Sequence, residues 1–294
     1  MDFAAIAAQI ARSSGARCTP APGRALSGGS INACYRWPTD GGPLFVKVGE
    51  RAALAAFEAE AAGLAELAAA RALRVPRVLA AGCAEAASFL ALEWIEAAPP
   101  DEDAERRLGA GLAALHAVRA SAFGWGRDNT IGRTPQLNGW SDDWAAFFRE
   151  RRLRPQLTLA MQRGFGELLG SRGDELLESV PELLAGHLPV ASLLHGDLWG
   201  GNWLSTGAGE PVIFDPAVYY GDRETDVAMT RLFGGFGEAF HRAYQQAAPL
   251  SAGAATRAEL YNLYHVLNHA NLFGGGYPRQ ARALIERLLG RLGR

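Results

Sequence analysis

Two acids and one amide carry the chemistry open to this chain. Asp197 lies in Leu194-His195-Gly196-Asp197-Leu198-Trp199-Gly200-Gly201-Asn202, with Asn202 five residues after it. A carboxylate there can orient a substrate hydroxyl and take its proton. A carboxamide oxygen five residues on can hold a cation, the base-and-metal arrangement of phosphoryl transfer. A second acid, Asp215, follows the apolar run Val212-Ile213-Phe214 and stands 18 residues after Asp197. That interval is about the room a short hairpin needs to bring a second ligand back to the same place. Magnesium, a hard cation that prefers oxygen ligands, neutralises phosphate charge in such chemistry. Asp197 is therefore the candidate base, and Asn202 and Asp215 are the candidate magnesium ligands. His-x-Asp alone is common in loops, and Asn after Gly-Gly often marks only a turn; the ordered set carries the reading.

Earlier elements must supply a nucleotide grip. Lys47 ends the apolar run Leu44-Phe45-Val46 and fits a strand-borne lysine that holds ATP phosphates. A solvent-facing lysine at a strand end is the usual alternative, so the deciding feature is a helix carboxylate to hold it. Glu60 lies 13 residues on, in the long Ala/Leu/Glu helix expected over 51–72, and is followed by Leu64 in the Glu-x-x-x-Leu pattern of small-molecule kinases. Glu58 is the rival. Gly28, Gly29 and Ser30 precede the lysine strand and can cover phosphate with backbone N–H groups, though many such triplets are plain hairpin turns. Glu93 and Ile95 end the strand expected over 88–95 and would read an adenine edge through their backbones, by analogy of fold.

The order of elements predicts an α+β, protein-kinase-like bilobal fold. Residues 1–96 read as a small antiparallel-sheet lobe with one main helix, residues 97–294 as a larger helical lobe, and Ala97-Ala98-Pro99-Pro100 as the boundary. Residues 1–15 read as an amphipathic helix rather than a signal peptide. Residues 123–139, rich in Gly, Asn, Thr and Pro, read as loop; residues 141–154 read as a helix with Ser141 as its N-cap; residues 225–294 read as helical with a break at 274–276. The chain has 294 residues, 49% hydrophobic and 20% charged, with net charge −2. Nothing in that balance calls for nucleic acid or a membrane surface. Cys18, Cys34 and Cys83 lack metal spacing, which points to a reducing, cytoplasmic setting. A monomer is the default expectation.

Other residues have structural readings. His195 is expected to orient the loop, and Asp226 to cap a helix or anchor a loop. His265 and His269 share a helix face without an acidic partner motif. Trp199, next to the base, can wall an acceptor pocket.

Three segments resemble the fructosamine/ketosamine-3-kinases, within the aminoglycoside-phosphotransferase-like superfamily. One is His195 through Asn202, with Trp199 after Asp-Leu. The second is Asp215-Pro216-Ala217-Val218-Tyr219-Tyr220-Gly221-Asp222-Arg223-Glu224-Thr225-Asp226. The third runs from Asp128 through Gln136 and on through Trp140-Ser141-Asp142-Asp143-Trp144 to Leu153. A generic kinase template does not need the third, so it weighs most for substrate class. The resemblance implies ATP-dependent, magnesium-dependent phosphorylation of the 3-hydroxyl of a sugar carried as a ketoamine, either on a small amine or on a protein lysine. The phosphorylated adduct is unstable and leaves the amine, which reverses glycation. It further implies that Asp197 is the base, that Asn202 and Asp215 hold magnesium, and that Lys47 with Glu60 positions the phosphates. Trp199, Asp222 and Arg223 are the candidate acceptor contacts. Pro216 stands where protein kinases have Phe in Asp-Phe-Gly, and Ser30 stands where members often carry a cysteine, which argues against a redox switch there. A kinase acting on an aminoglycoside, choline-like alcohol or free sugar is the alternative; a dead nucleotide-binding scaffold would have lost one of Lys47, Asp197, Asn202 or Asp215, and none is lost.

Overall fold

The computed structural model describes residues 2–26 and 32–294. Helix α1 (Phe3–Ser14) starts where Asp2 accepts the Ala5 N–H, and ends at Gly15, whose positive φ lets its N–H return to Ala11. Strands β1 (Ala25–Leu26), β2 (Ala33–Trp37), β3 (Leu44–Glu50), β4 (Val78–Ala84) and β5 (Ala87–Glu93) form one antiparallel sheet in the order β1-β2-β3-β5-β4. Alternation along β3 decides what each face sees. Val46 and Val48 join Trp37, Phe89 and Ala91 under Ile6 and Ile10 of α1. Phe45 and Lys47 point the other way, toward helix α2 (Leu54–Ala70), where Phe57 and Leu64 pack on Leu90 and Leu92. Phe57, Glu60, Leu64 and Leu67 are three or four residues apart and so lie on one stripe. Glu60 is therefore carried to the Lys47 face by the spacing that buries Phe57, Leu64 and Leu67.

The remaining chain is mostly helical. Helix α3 (Glu102–His116) is capped by Asp101, with Glu102, Asp103 and Glu105 in its first turn, where acids complement the helix dipole. After α3 come a hairpin of β6 (Asn129–Ile131) and β7 (Thr134–Gln136), helix α4 (Trp144–Phe147), a π-helical turn over Phe148–Leu153, α5 (Arg154–Ala160), a second π turn over Met161–Phe165, and α6 (Gly166–Leu183). Beyond four short strands β8 (Ser192–Leu194), β9 (Trp203–Ser205), β10 (Pro211–Ile213) and β11 (Tyr219–Gly221) lie helices α7 (Glu224–Leu232), α8 (Glu238–Ala247), α9 (Ala254–Phe273) and α10 (Tyr277–Gly290). Helix α9 is the core post, burying Leu260, Tyr261, Leu263, Tyr264, Val266 and Leu267.

The bilobal expectation matches this architecture, including the break at Gly274–Gly276. Two local expectations do not. The segment 123–139 contains the β6–β7 hairpin, whose three-residue strands are too short to show a period in sequence. The helix after it is capped by Asp143, which accepts the Ala146 N–H at 2.9 Å; Ser141 sits two residues earlier and accepts the Asp143 N–H at 3.3 Å. The lobes meet along α2. Gly63 lies against Pro216 and Val218, where an added Cβ would come within 3.2 Å of Val218 Cγ2, and the Tyr220 hydroxyl donates to Glu66 Oε1 at 2.7 Å.

Candidate active site

Two small antiparallel ladders bring the site together. β8 pairs with β11, and β9 pairs with β10. The loop 195–202 links β8 to β9, and the segment 214–218 links β10 to β11, so the two are nested side by side. The β9–β10 hairpin accounts for the interval between Asp197 and Asp215. Backbone bonds tie the loops directly: Phe214 N donates to Asn202 O at 3.0 Å and Ala217 N to His195 O at 2.8 Å. At Gly196, φ is +82° and a Cβ would sit 2.0 Å from Ala217 O, so a side chain there would separate the two segments.

His195 is buried and its Nε2 lies 3.0 Å from Phe214 O, while the Asp197 N–H lies 3.3 Å from its Nδ1. Those partners require a proton on Nε2 and a lone pair on Nδ1. Burial, against the opposing pull of Asp226, lowers its pKa and favours this neutral form. His195 thus braces both loops and keeps no ring nitrogen for chemistry. Asp226 accepts the N–H groups of His195 and Gly196 at 2.7 and 2.9 Å, and His116 Nε2 at 3.2 Å. Burial works to raise the Asp226 pKa, but His116 first, then His195 and the Gly196 amide, outweigh it and hold the carboxyl below its ordinary value. In the sequence His116 reads as the end of a buried helix segment without a metal-ligand pattern. Its place at the end of a buried Leu112-Ala113-Ala114-Leu115 turn was the available signal, because a buried imidazole needs a polar partner.

The nucleotide side centres on Lys47. Its ammonium meets Glu60 Oε1 and Oε2 at 2.8 and 2.9 Å and Asp215 Oδ1 at 2.6 Å. Burial opposes the charge on Lys47, but the two carboxylates outweigh it and raise its pKa. Glu60 is pushed up to about 6, by burial first, with Lys47 opposing and Asp215 adding. Glu58 is exposed on the outer face of α2. Asp215 holds φ +56°, unusual for a residue with a side chain, and such backbone settings cluster at functional sites. Asn202 Nδ2 donates to Asp197 O at 2.8 Å and lies 3.4 Å from Asp197 Oδ2 and Asp215 O. Three oxygens around Nδ2 fix the amide orientation, which leaves Oδ1 as the atom that could meet a cation. Asn202 Oδ1 and the Asp215 carboxylate are hard oxygen donors on adjoining loops, so the residues fit magnesium. Asp197 is half-buried, and its pKa is raised well above the usual carboxylate value by burial and then Asp215, with Asn202 opposing.

Trp199 is 42% exposed and next but one to Asp197. Its ring folds back over Gly201, where a Cβ would stand 2.3 Å from it. Asp222 and Arg223 are placed elsewhere, which corrects their reading as acceptor contacts. Tyr219 pairs with Leu194 and Gly221 with Ser192, so Asp222 leaves the ladder at the end opposite Asp197. Asp222 is buried and bonded by His187 and by the Tyr261 hydroxyl at 2.6 and 2.5 Å. Arg223 donates to Tyr244 Oη and to the carbonyls of Ala248 and Pro249. Both line a separate cavity of about 300 Å³ with His187, Leu188 and Ser251. At the strand end proposed for adenine, the Glu93 N–H already donates to Arg77 O at 2.9 Å and its side chain pairs with Arg74. The Glu93 N–H is thus unavailable, and the adenine reading falls to its carbonyl and to the Ile95 backbone. Gly28, Gly29 and Ser30 lie outside the described residues.

A small sheet carrying a helix-gripped lysine, packed on a helical lobe with a carboxylate loop and a second acid, defines a kinase-like phosphotransferase. The sequence pattern of the fructosamine kinase family matches residues 2–291. The chain is 46% identical over 287 residues to a probable ketoamine kinase of Synechocystis sp., covering 97% of this chain and 96% of that protein. It is 40% identical over 264 residues to the chloroplastic protein-ribulosamine 3-kinase of Arabidopsis thaliana, covering 89% of this chain and 80% of that protein. The crystal structure of a candidate fructosamine-3-kinase of Haemophilus somnus superposes with a TM-score of 0.89 at 30% identity, over 97% of this chain and 96% of that one. The chain belongs to the fructosamine kinase family. Among the described residues, no helix is long and apolar enough to cross a membrane.

Proposed function

We propose that this protein transfers the γ-phosphoryl group of ATP to the 3-hydroxyl of a ketosamine, the first step in freeing a glycated amine. Asp197 accepts the hydroxyl proton as the sugar oxygen bonds to phosphorus, and the bond from phosphorus to the ADP oxygen breaks. Lys47, steadied by Glu60, holds the nucleotide phosphates. Asn202 and Asp215 hold magnesium, which when bound screens the phosphate charge. Trp199 walls the acceptor side, and the backbones at Glu93 and Ile95 with Gly28, Gly29 and Ser30 complete the nucleotide site. The observation that carries this reading is the ammonium of Lys47 held between Glu60 and Asp215, one loop from Asp197, in a chain of this family. The substrate class is supported by the names of its relatives, ketoamine kinase and ribulosamine 3-kinase.

The test is ADP release with Mg-ATP against ribulosamine and fructosamine adducts of lysine, an aminoglycoside, choline and free sugars. Selective turnover of a ketosamine is the expected result. Turnover of another acceptor alone would refute the substrate class, and ATP binding without turnover of any would refute the kinase reading.

A further inference from the structure

Arg152 is fully buried, and no carboxylate among the described residues pairs with it. A cation kept from water without a counter-charge is costly, so its surroundings must explain it. The π turn Phe148–Leu153 rotates Arg152 inward beside Phe148 and Leu153, a distortion often found at functional places. The guanidinium lies 4.0 Å from the ring centre of Tyr219 and 4.7 Å from that of Phe147. Nη1 donates to Leu137 O at 2.6 Å and Nη2 to Asn138 Oδ1 at 2.7 Å.

From Asn138 a chain of buried amides runs to the metal-holding segment. Asn138 Nδ2 donates to Asn129 Oδ1 at 2.8 Å, and Asn129 Nδ2 donates to Val218 O at 2.9 Å. Gln136 Nε2 donates to the same Asn129 Oδ1 at 2.8 Å and to Ala217 O at 3.0 Å, while its Oε1 accepts the Tyr264 hydroxyl at 2.8 Å. The bonds from Arg152 through Asn138 and Asn129 to Val218 run in one direction, and Gln136 donates to the same Asn129 oxygen from its other side. The cation requires Asn138 to turn its oxygen toward Arg152, so its NH₂ faces Asn129, whose NH₂ must then face Val218. Reversing one amide would set N–H against N–H along the line. Ala217 and Val218 follow Asp215 by two and three residues, and Ala217 is the residue that also bonds His195.

We propose that Arg152 is a positioning residue for the metal-holding segment: through Asn138, Asn129 and Gln136 it fixes the carbonyls of Ala217 and Val218, and with them the direction in which Asp215 faces. This gives the β6–β7 hairpin, which a generic kinase site does not need, a task within this site. The inference rests on the reading that Asp215 holds the cation.

The experiment measures Mn²⁺ affinity by electron paramagnetic resonance, in the presence of a non-hydrolysable ATP analogue, alongside melting temperature. Arg152→Met and Gln136→Met are expected to weaken Mn²⁺ binding about tenfold or more, the range for residues that orient metal ligands. Arg152→Lys, which keeps the charge without the planar fork, should recover part of that loss. A lower melting temperature with wild-type Mn²⁺ affinity in the folded fraction of Arg152→Met and Gln136→Met would overturn the proposal. Should Arg152→Met fail to fold, Arg152→Lys and Gln136→Met decide together, and wild-type Mn²⁺ affinity in both would overturn the proposal. Asp215→Ala separates the two readings: wild-type Mn²⁺ affinity in that variant would refute Asp215 as the ligand, whereas its loss beside unchanged affinity in the other variants would refute the Arg152 relay alone.

Discussion

Replacing Glu60 by Gln gives a sharp test of the nucleotide side. The side chain keeps its shape and one oxygen, but the carboxylate that meets Lys47 at 2.8 and 2.9 Å becomes neutral. One charge-assisted hydrogen bond is lost, worth about 1.5–3 kcal/mol, and Mg-nucleotide affinity should fall by about tenfold to a hundredfold. The pH dependence sharpens the expectation. Burial places the Glu60 pKa at about 6, so the charged form that grips Lys47 is present above that pH and is lost as pH falls through it. Wild-type affinity for a non-hydrolysable ATP analogue with Mg²⁺ should fall as pH drops through that range, toward the level of the variant. Glu60→Gln should start low and lack that contribution. Equilibrium calorimetry between pH 5 and 8 reads both quantities without involving Asp197 as a base. Wild-type affinity together with a wild-type slope in the variant would refute the assignment of Glu60 as the lysine's partner.

Asp197→Asn should lower turnover by about a hundredfold to ten-thousandfold, the range for a removed general base, while calorimetric nucleotide affinity stays within a few-fold; near-normal turnover would contradict the base assignment. Tyr220→Phe removes the hydroxyl that donates to Glu66 across the lobes and should cost about 0.5–1.5 kcal/mol of stability, read as a shifted urea midpoint at unchanged slope. Burial depresses the His265 pKa to about 3, so this side chain stays neutral in the fold while the unfolded chain takes up a proton below about pH 6.5. That contribution to stability is complete above pH 6.5 and shrinks as pH falls toward 3. His265→Gln should therefore lose less melting temperature than wild type between pH 6.5 and 4, and parallel losses would refute this account.

The arrangement of lobes was legible because long periodic segments dominate it: α2 and α9 carry strong helix signals, and β3 and β5 are continuous apolar runs. The convergence of Lys47 and Glu60 was legible for a related reason, since one stripe of α2 carries Phe57, Glu60, Leu64 and Leu67 to the sheet. The β6–β7 hairpin was hidden because buried amides hold it, and Asn, Gln and Thr read as loop residues in a sequence. The same chemistry misled at Asp222 and Arg223. Charged residues inside a family motif invite a substrate role, yet here they are internal fasteners for α7 and the loop around 187, at the wrong end of β11. The Ser141 cap was displaced by two residues because both Ser141 and Asp143 can cap, and the antiparallel bridge to Phe123 ties the Ser141 backbone outside the helix.

With Lys47 gripping phosphate and Asp215 a cation, as proposed above, their 2.6 Å contact would make nucleotide binding an exchange rather than an addition. Lys47 cannot turn fully to phosphate while Asp215 holds it, and Asp215 cannot give itself to a cation while it answers the lysine. A divalent ion held by Asp215 would free the ammonium, and phosphate held by the ammonium would free the carboxylate. Each event therefore lowers the work of the other, and thermodynamic reciprocity makes the two enhancements equal. On that reading metal and nucleotide would be linked ligands, and the protein should hold either one alone less firmly than the pair.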